Sequence, residues 1–99
     1  MMTIEKSING SELTVALDGR LDTVSAPELE VIVRNELVGI ETLILEFKNL
    51  QYTSSAGLRV ILLAQKTMNK QGEMIIKNVA ESVMEVFELT GLADLLTIE

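Results

Sequence analysis

The pattern of apolar and polar residues along the chain predicts its secondary structure. Near the N-terminus, residues 3–8 and 13–17 are short runs that are typical of β-strands. Asn9-Gly10-Ser11 lies between these runs and has the composition of a turn. The pattern therefore predicts an antiparallel hairpin, followed by a break at residues 18–22.

A first helix is expected after this break. Its apolar stripe consists of Ala26, Leu29, Val33 and Leu37. This spacing places the four side chains on one face of a helix. Thr23 or Ser25 can cap the helix at its start, and Pro27 suits its first turn. Gly39 is expected to end it.

The run TLILEF at residues 42–47 gives the strongest strand prediction. Its Leu-Ile-Leu centre predicts a central strand that is covered on both faces. Residues 48–55 have no clear period and are interpreted as a connection, whereas residues 56–69 are predicted to form a second helix. The buried stripe of that helix is expected to contain Leu58, Ile61, Leu62 and Met68.

The last third of the chain completes the predicted architecture. EMIIK at residues 73–77 predicts a strand, residues 80–89 a third helix, and residues 94–98 a short last strand or an irregular tail. Alternating strands and helices imply crossovers onto one mixed sheet. We therefore expect a single small α/β domain over residues 1–99, with a mixed four- to five-stranded sheet, an N-terminal hairpin and about three main helices that largely cover the sheet.

Composition argues against several classes of function. The 99 residues include 15 acidic and 8 basic ones, a formal net charge of −7, so direct binding to nucleic acid or to an anionic membrane is not expected. Without cysteine or histidine, the chain lacks the residues of a Ser–His–acid triad and of common zinc sites. We expect no enzyme activity, no cofactor and no metal. No signal peptide or membrane-spanning run is recognisable, which favours a cytoplasmic location.

Three adjacent hydroxyl residues, Thr53-Ser54-Ser55, separate a predicted strand from a predicted helix. Serine is a preferred residue at the start of a helix, so the simplest interpretation is a helix cap. A hydroxyl in this place can also accept a phosphate, which adds roughly 1.5 to 2 negative charges. The helix N-terminus stabilises such a charge, whereas a partner surface built for a neutral serine does not. Capping and switching are therefore compatible at one position.

Four segments resemble the STAS family, which is named for sulfate transporters and anti-sigma factor antagonists. NLQYTSSAGLRVIL at residues 49–62 is similar to the signature of bacterial anti-sigma factor antagonists. GRLD at residues 19–22 resembles the family's G-x-L-D, and FELTGL at residues 87–92 resembles its F-x-x-[ST]-G-L. KQGEM at residues 70–74 resembles the family's turn into the last main strand. The resemblance covers nearly the whole chain and implies a STAS-like fold.

The resemblance also implies a regulatory protein that works by partner switching. In the family, a serine in the loop D-S-[ST]-G-L is phosphorylated by a partner that is both serine kinase and anti-sigma factor, and a separate serine phosphatase resets the protein. The unphosphorylated antagonist binds that partner and frees the sigma factor. Alignment on Gly57-Leu58 makes Ser55 the phosphoacceptor, with Ser54 as the alternative. Ser54 then replaces the family's aspartate, and Ala56 replaces its second hydroxyl residue.

The partner-binding surface that the resemblance implies consists of Asp22, Thr23, Ser54, Ser55, Ala56, Gly57, Leu58 and Arg59. Asp22 can equally be a helix-start residue beside the helix dipole. Arg59 can pair with a phosphate on Ser55 or with a partner carboxylate, or it can be an ordinary solvated residue. Because Ser54 replaces the aspartate, a second function stays open, namely a constitutive STAS interaction or scaffolding module without a phosphorylation cycle.

Overall fold

The order of strands and helices agrees with the α/β architecture expected from the sequence. A computed structural model describes residues 2–99. The elements are β1 Met2–Asn9, β2 Glu12–Leu21, α1 Ala26–Asn35, β3 Thr42–Thr53, α2 Ser55–Asn69, β4 Glu73–Lys77, α3 Glu81–Leu89 and a 3-10 turn at Leu92–Asp94. The sheet has the order β1-β2-β3-β4, in which β1 and β2 are antiparallel and the other pairs are parallel. The predicted mixed sheet, hairpin and three helices are therefore confirmed.

The hydrophobic core lies on one face of this sheet. Its strand residues include Leu13, Val15, Leu17, Leu43, Leu45, Phe47, Met74 and Ile76, all fully buried. α2 packs against β3 and β4, α3 packs against β3, and α1 lies beside α2. The rings of Phe47 and Phe87 are 6.5 Å apart between centroids and join β3 to α3.

The prediction that the central strand is covered on both faces is wrong. Leu43 and Leu45 point into the core, but Ile44 between them is only half-buried. Ile44 lies opposite Thr14 of β2 and Ile75 of β4. Neighbouring side chains on the open face therefore shield one another without a covering helix, which is why an apolar triplet is tolerated there.

Strands β2 and β3 are longer than the pattern predicts, so the expected break at residues 18–22 and the expected connection at residues 48–55 are wrong. Pairing between the two strands continues to Leu21 and Thr53 and shifts register near Asp18 and again near Arg20. Such irregularities interrupt the alternation of inward and outward side chains on which the prediction depends. The extended strands carry Leu21 and Thr53 side by side to the edge of the sheet.

The end of α1 also differs from the prediction. The helix stops at Asn35, before the last predicted stripe residue, Leu37, which is buried beyond it. The Gln71 side chain donates hydrogen bonds of 2.6 Å and 2.7 Å to the carbonyl oxygens of Leu37 and Ile40. These bonds satisfy backbone groups after the helix and hold the following segment against the end of α2. At the C-terminus, Ile98 forms an isolated parallel bridge with Ile76 of β4.

Candidate functional site

The hydroxyl-rich segment lies where two parallel strands end, at the edge of the sheet where α/β folds place functional loops. The backbone N–H of Ser54 donates a 2.9 Å hydrogen bond to the carbonyl oxygen of Leu21. Ser54 is extended and precedes α2, and its Oγ accepts a 3.4 Å hydrogen bond from the N–H of Gly57. Ser54 is therefore the residue that caps α2.

The structure separates the three hydroxyl groups by their surroundings. Thr53 is buried, and its Oγ1 donates a 3.3 Å hydrogen bond to the carbonyl oxygen of Ser54. Ser54 is half-buried and engaged in capping, whereas Ser55 is exposed as the first residue of α2. Within residues 2–99, the Ser55 hydroxyl has no hydrogen-bond partner, whereas those of Thr53 and Ser54 do. Ser55 is thus the hydroxyl that an approaching protein can reach.

Of the four residues after Ser55, three pack against the core and one is exposed. Gly57 and Leu58 are buried, and Ala56 packs against the core. Arg59 is exposed one turn into α2, on the same side of the helix as Ser55 because the two are four residues apart. A partner would therefore meet Ser55 and Arg59 directly, while the three residues between them fix the position of the loop.

Asp22 organises the start of α1. Its Oδ1 accepts 3.0 Å hydrogen bonds from the backbone N–H groups of Val24 and Ser25. The Ser25 hydroxyl donates to the carbonyl oxygen of Arg20 at 2.7 Å and accepts from the N–H of Asp22 at 2.9 Å. Ser25 lies at the N-cap position of α1, which is one of the two predicted positions, but its side chain turns back toward β2 and makes no capping bond. The Asp22 side chain accepts from the free N–H groups instead.

These hydrogen bonds also lower the pKa of the Asp22 carboxyl. Donation from the Ser25 backbone N–H holds the pKa of the Asp22 carboxyl below its usual value, and this effect outweighs partial burial, which acts in the opposite direction. The carboxylate form is therefore the one that the loop stabilises. Asp22 Oδ1 accepts the hydrogen bonds of the segment that leads into α1. Asp22 is therefore a helix-start residue, which was one of the two interpretations that the sequence left open.

Two further residues near this edge, Arg20 and Val24, were given no role of their own by sequence reasoning. The Arg20 guanidinium carbon lies 4.1 Å from the centroid of the Tyr52 ring, and the two residues face each other across β2 and β3. Val24 is 83% exposed beside Thr23. The only sequence signal for Val24 is a β-branched apolar residue within a polar helix-start segment.

Three kinds of feature are absent from the part of the chain that the structure describes. No cleft of small-molecule size is formed by residues 2–99. No group of three or more acidic residues is assembled as a possible metal site among them. None of the described helices is both long and apolar enough to cross a membrane. What this edge does present is an exposed serine at the start of a helix.

Comparison with known proteins places the fold in one class, that of STAS domains. The family model described as "STAS domain" matches residues 3–99, and the chain belongs to this family. A curated relative, the anti-sigma-B factor antagonist of Staphylococcus aureus, is 30% identical over 97 residues, covering 96% of this chain and 90% of the relative. BtrV of Bordetella bronchiseptica, also named among anti-sigma factor antagonists, is 36% identical over 92 residues, covering 91% of this chain and 78% of the relative.

Solved structures share the fold at lower sequence identity. An anti-sigma factor antagonist from Mycobacterium paratuberculosis superposes with a TM-score of 0.88 at 18% identity, over 99% of this chain and 85% of that one. The Bacillus protein SpoIIAA in its phosphorylated form gives a TM-score of 0.78 at 18% identity, over 98% of this chain and 91% of that one. The four-stranded mixed sheet with three helices is therefore the STAS arrangement.

Proposed function

We propose that this protein is an anti-sigma factor antagonist that binds an anti-sigma factor with serine-kinase activity and is released when Ser55 is phosphorylated. The observation that carries the proposal is the exposure of the Ser55 hydroxyl at the first position of α2, while Thr53 is buried and Ser54 caps the helix. The names of the curated relatives support the regulatory class. The setting for this activity is the cytoplasm, where the transcription machinery lies.

The switch follows from the cost of placing a new charge in an interface. A phosphate adds roughly 1.5 to 2 negative charges at neutral pH. Ser55 is exposed, so water and the N-terminal end of α2 stabilise the added charge in the free protein. A partner that covers Ser55 has to remove water from the phosphate, which opposes binding. Phosphorylation thereby weakens docking and leaves the fold intact.

The phosphoryl transfer requires little chemistry from this chain. The Ser55 oxygen attacks the γ-phosphorus of ATP bound to the partner kinase. The bond from that phosphorus to the β–γ bridging oxygen breaks, ADP leaves, and a base on the kinase takes the hydroxyl proton. This chain supplies a positioned nucleophile and a docking surface, and a partner serine phosphatase reverses the modification by hydrolysis.

The acceptor is tested by intact-mass measurement after incubation with the cognate anti-sigma kinase and ATP. We expect one added phosphate on the wild-type protein and on Ser54→Ala, and none on Ser55→Ala. Equal phosphorylation of Ser55→Ala and wild type would show that another residue is the acceptor, and Ser54 would be the next candidate.

Binding to the same anti-sigma factor tests the switch. Ser55→Asp places a negative charge at the proposed centre of the interface, and we expect binding to weaken by roughly tenfold or more because like charges or desolvated charges at an interface cost several kcal/mol. Ser55→Ala is the neutral control and should bind like wild type.

A constitutive interaction module is the second candidate, and the neutral cap at Ser54 favours it, because the family's aspartate is missing beside the acceptor. This candidate predicts full binding to the anti-sigma factor with no added phosphate on any variant. The mass measurement therefore separates the two functions.

A further inference from the structure

The charges on α2 differ from those on the rest of the chain. Although the chain has a formal net charge of −7, Ser55–Asn69 contains Arg59 and Lys66 and no acidic residue, and Lys70 follows as the C-cap. α3, by contrast, contains acidic residues and no basic ones. Among the helices of residues 2–99, the one that begins at Ser55 is thus the only one without negative charge.

These cations share one side of the helix with Ser55. At 100° per residue, positions 55, 59, 62, 66 and 70 fall on one stripe. Ser55, Arg59, Lys66 and Lys70 are exposed, and Leu62 is half-buried among them. We use the name basic stripe for Arg59, Lys66 and Lys70. The basic stripe therefore extends from Ser55 along the same side of α2 to the end of the helix.

Neither an ion pair nor the dipole of α2 accounts for Arg59, although the dipole does favour Lys66 and Lys70 at the end of the helix. Within residues 2–99, the two ion pairs join β1 to the residue after α1 and two residues inside α1, so none involves the stripe. A helix dipole favours acids in the first turn and disfavours cations near it. α1 and α3 follow this rule with Glu28 and Glu81, whereas α2 has no acid in its first turn and carries Arg59 just after it.

We propose that the basic stripe is a docking surface for an acidic segment of the anti-sigma partner, an inference that rests on the proposed function. Carboxylates on the partner complement Arg59, Lys66 and Lys70, and apolar side chains contact Leu62. Because Ser55 and Arg59 are one helical turn apart, a phosphate on Ser55 competes with a partner carboxylate for Arg59. The stripe thus gives the switch an attractive contact that phosphorylation removes.

Charge reversal at Lys66, in the last turn of α2, tests this surface without altering Ser55. Lys66→Glu is compared with Lys48→Glu, which changes the net charge equally at an exposed position in β3. Binding to the purified cognate anti-sigma factor is measured at low and at moderate salt. We expect Lys66→Glu to bind about three- to tenfold more weakly at low salt, and the deficit to shrink as salt screens the charges. Lys48→Glu should bind like wild type.

A second variant separates docking from helix stability, because a cation in the last turn of a helix also favours the helix dipole. Lys66→Gln removes the charge and keeps good helix propensity. Unchanged thermal unfolding with weaker binding supports docking. Equal affinity of Lys66→Glu, Lys66→Gln and Lys48→Glu overturns the inference, even where Ser55→Asp still weakens binding and the proposed function holds. Failure of wild type to bind the anti-sigma factor overturns both.

Vesicles that contain phosphatidylserine test whether the basic stripe binds a membrane surface and not a protein. Because the chain as a whole is acidic, we expect no co-sedimentation of wild type with such vesicles. Co-sedimentation that Lys66→Glu abolishes would assign the basic stripe to a membrane surface and overturn the inference.

Discussion

Gly57 lies so close to Thr53 that a side chain at position 57 has no room. A Cβ there would be 2.5 Å from Thr53 Oγ1 and 2.7 Å from Leu21 Cγ. Thr53 and Leu21 are the last residues of β3 and β2. The missing side chain therefore lets the first turn of α2 rest directly on the edge of the sheet, which fixes where Ser55 is presented.

Gly57→Ala should destabilise the protein by about 1–3 kcal/mol, the usual cost of an extra methyl group in a closely packed place. Alanine favours a helix interior over glycine by about 1 kcal/mol, so the two effects oppose each other. We expect the clash to dominate, since Leu21 and Thr53 are buried and cannot move aside. Urea unfolding measures the difference. Ser55→Ala is the nearby control, and a Gly57→Ala protein as stable as wild type would contradict the close approach.

The α2 cap gives a second prediction. Ser54→Ala removes the oxygen that accepts from the Gly57 N–H, and loss of a serine cap costs about 0.5–2 kcal/mol. Ser54→Asp replaces one good cap by another and should retain stability. Thermal or urea unfolding checks both, with Ser55→Ala expected to stay within about 0.5 kcal/mol of wild type as an exposed substitution. A larger loss for Ser55→Ala than for Ser54→Ala would show that the cap is assigned to the wrong serine.

The sequence predicts regular elements here better than it predicts their ends. The hairpin and the strand at residues 73–77 are predicted from short strand-like runs, and both are confirmed. The last residues of β2 and β3 form no such run, because register shifts near Asp18 and Arg20 interrupt the alternation. Such shifts depend on pairing between strands that are distant in the sequence, which local patterns do not encode.

The same distinction applies to the candidate site. Ser55 could be named as a candidate from local composition and from a resemblance, because a run of hydroxyl residues before an apolar helix is visible in the sequence. The contact between Arg20 and Tyr52 joins positions more than thirty residues apart on two strands. It could not be predicted while both positions were assigned to irregular segments. Ser25 had the right residue type for a cap, but its hydroxyl bonds to Arg20 instead.

The Arg20–Tyr52 contact gives a third prediction. Cation–π contacts at exposed sites contribute about 0.5–1 kcal/mol, and Arg20 and Tyr52 lie at the surface. A double-mutant cycle with Arg20→Ala and Tyr52→Ala should therefore show a coupling energy of about that size in urea unfolding. Arg20→Lys tests the nature of the contact, because an ammonium keeps the charge and loses the planar stacking of the guanidinium. Strictly additive effects of Arg20→Ala and Tyr52→Ala would mean that the ring and the cation do not interact in solution.

Asp22 gives a prediction about pH. Its carboxyl has a lower pKa in the folded protein than its ordinary value of 3.8, so the ionised form stabilises the fold. This contribution is complete above the ordinary pKa and is lost as the pH falls through the lower folded pKa. Asp22→Asn cannot ionise. The deficit of this variant in the free energy of unfolding should therefore be largest above about pH 5 and should shrink toward pH 2.

Urea unfolding of wild type and Asp22→Asn across this pH range measures the deficit. Asp18→Asn removes one carboxylate from the exposed part of β2 and reports the general effect of reducing the negative charge. A deficit for Asp22→Asn that stays constant from pH 2 to about pH 6 would contradict the argument, because it would show that amides at the start of α1 do not distinguish the carboxylate from a neutral group.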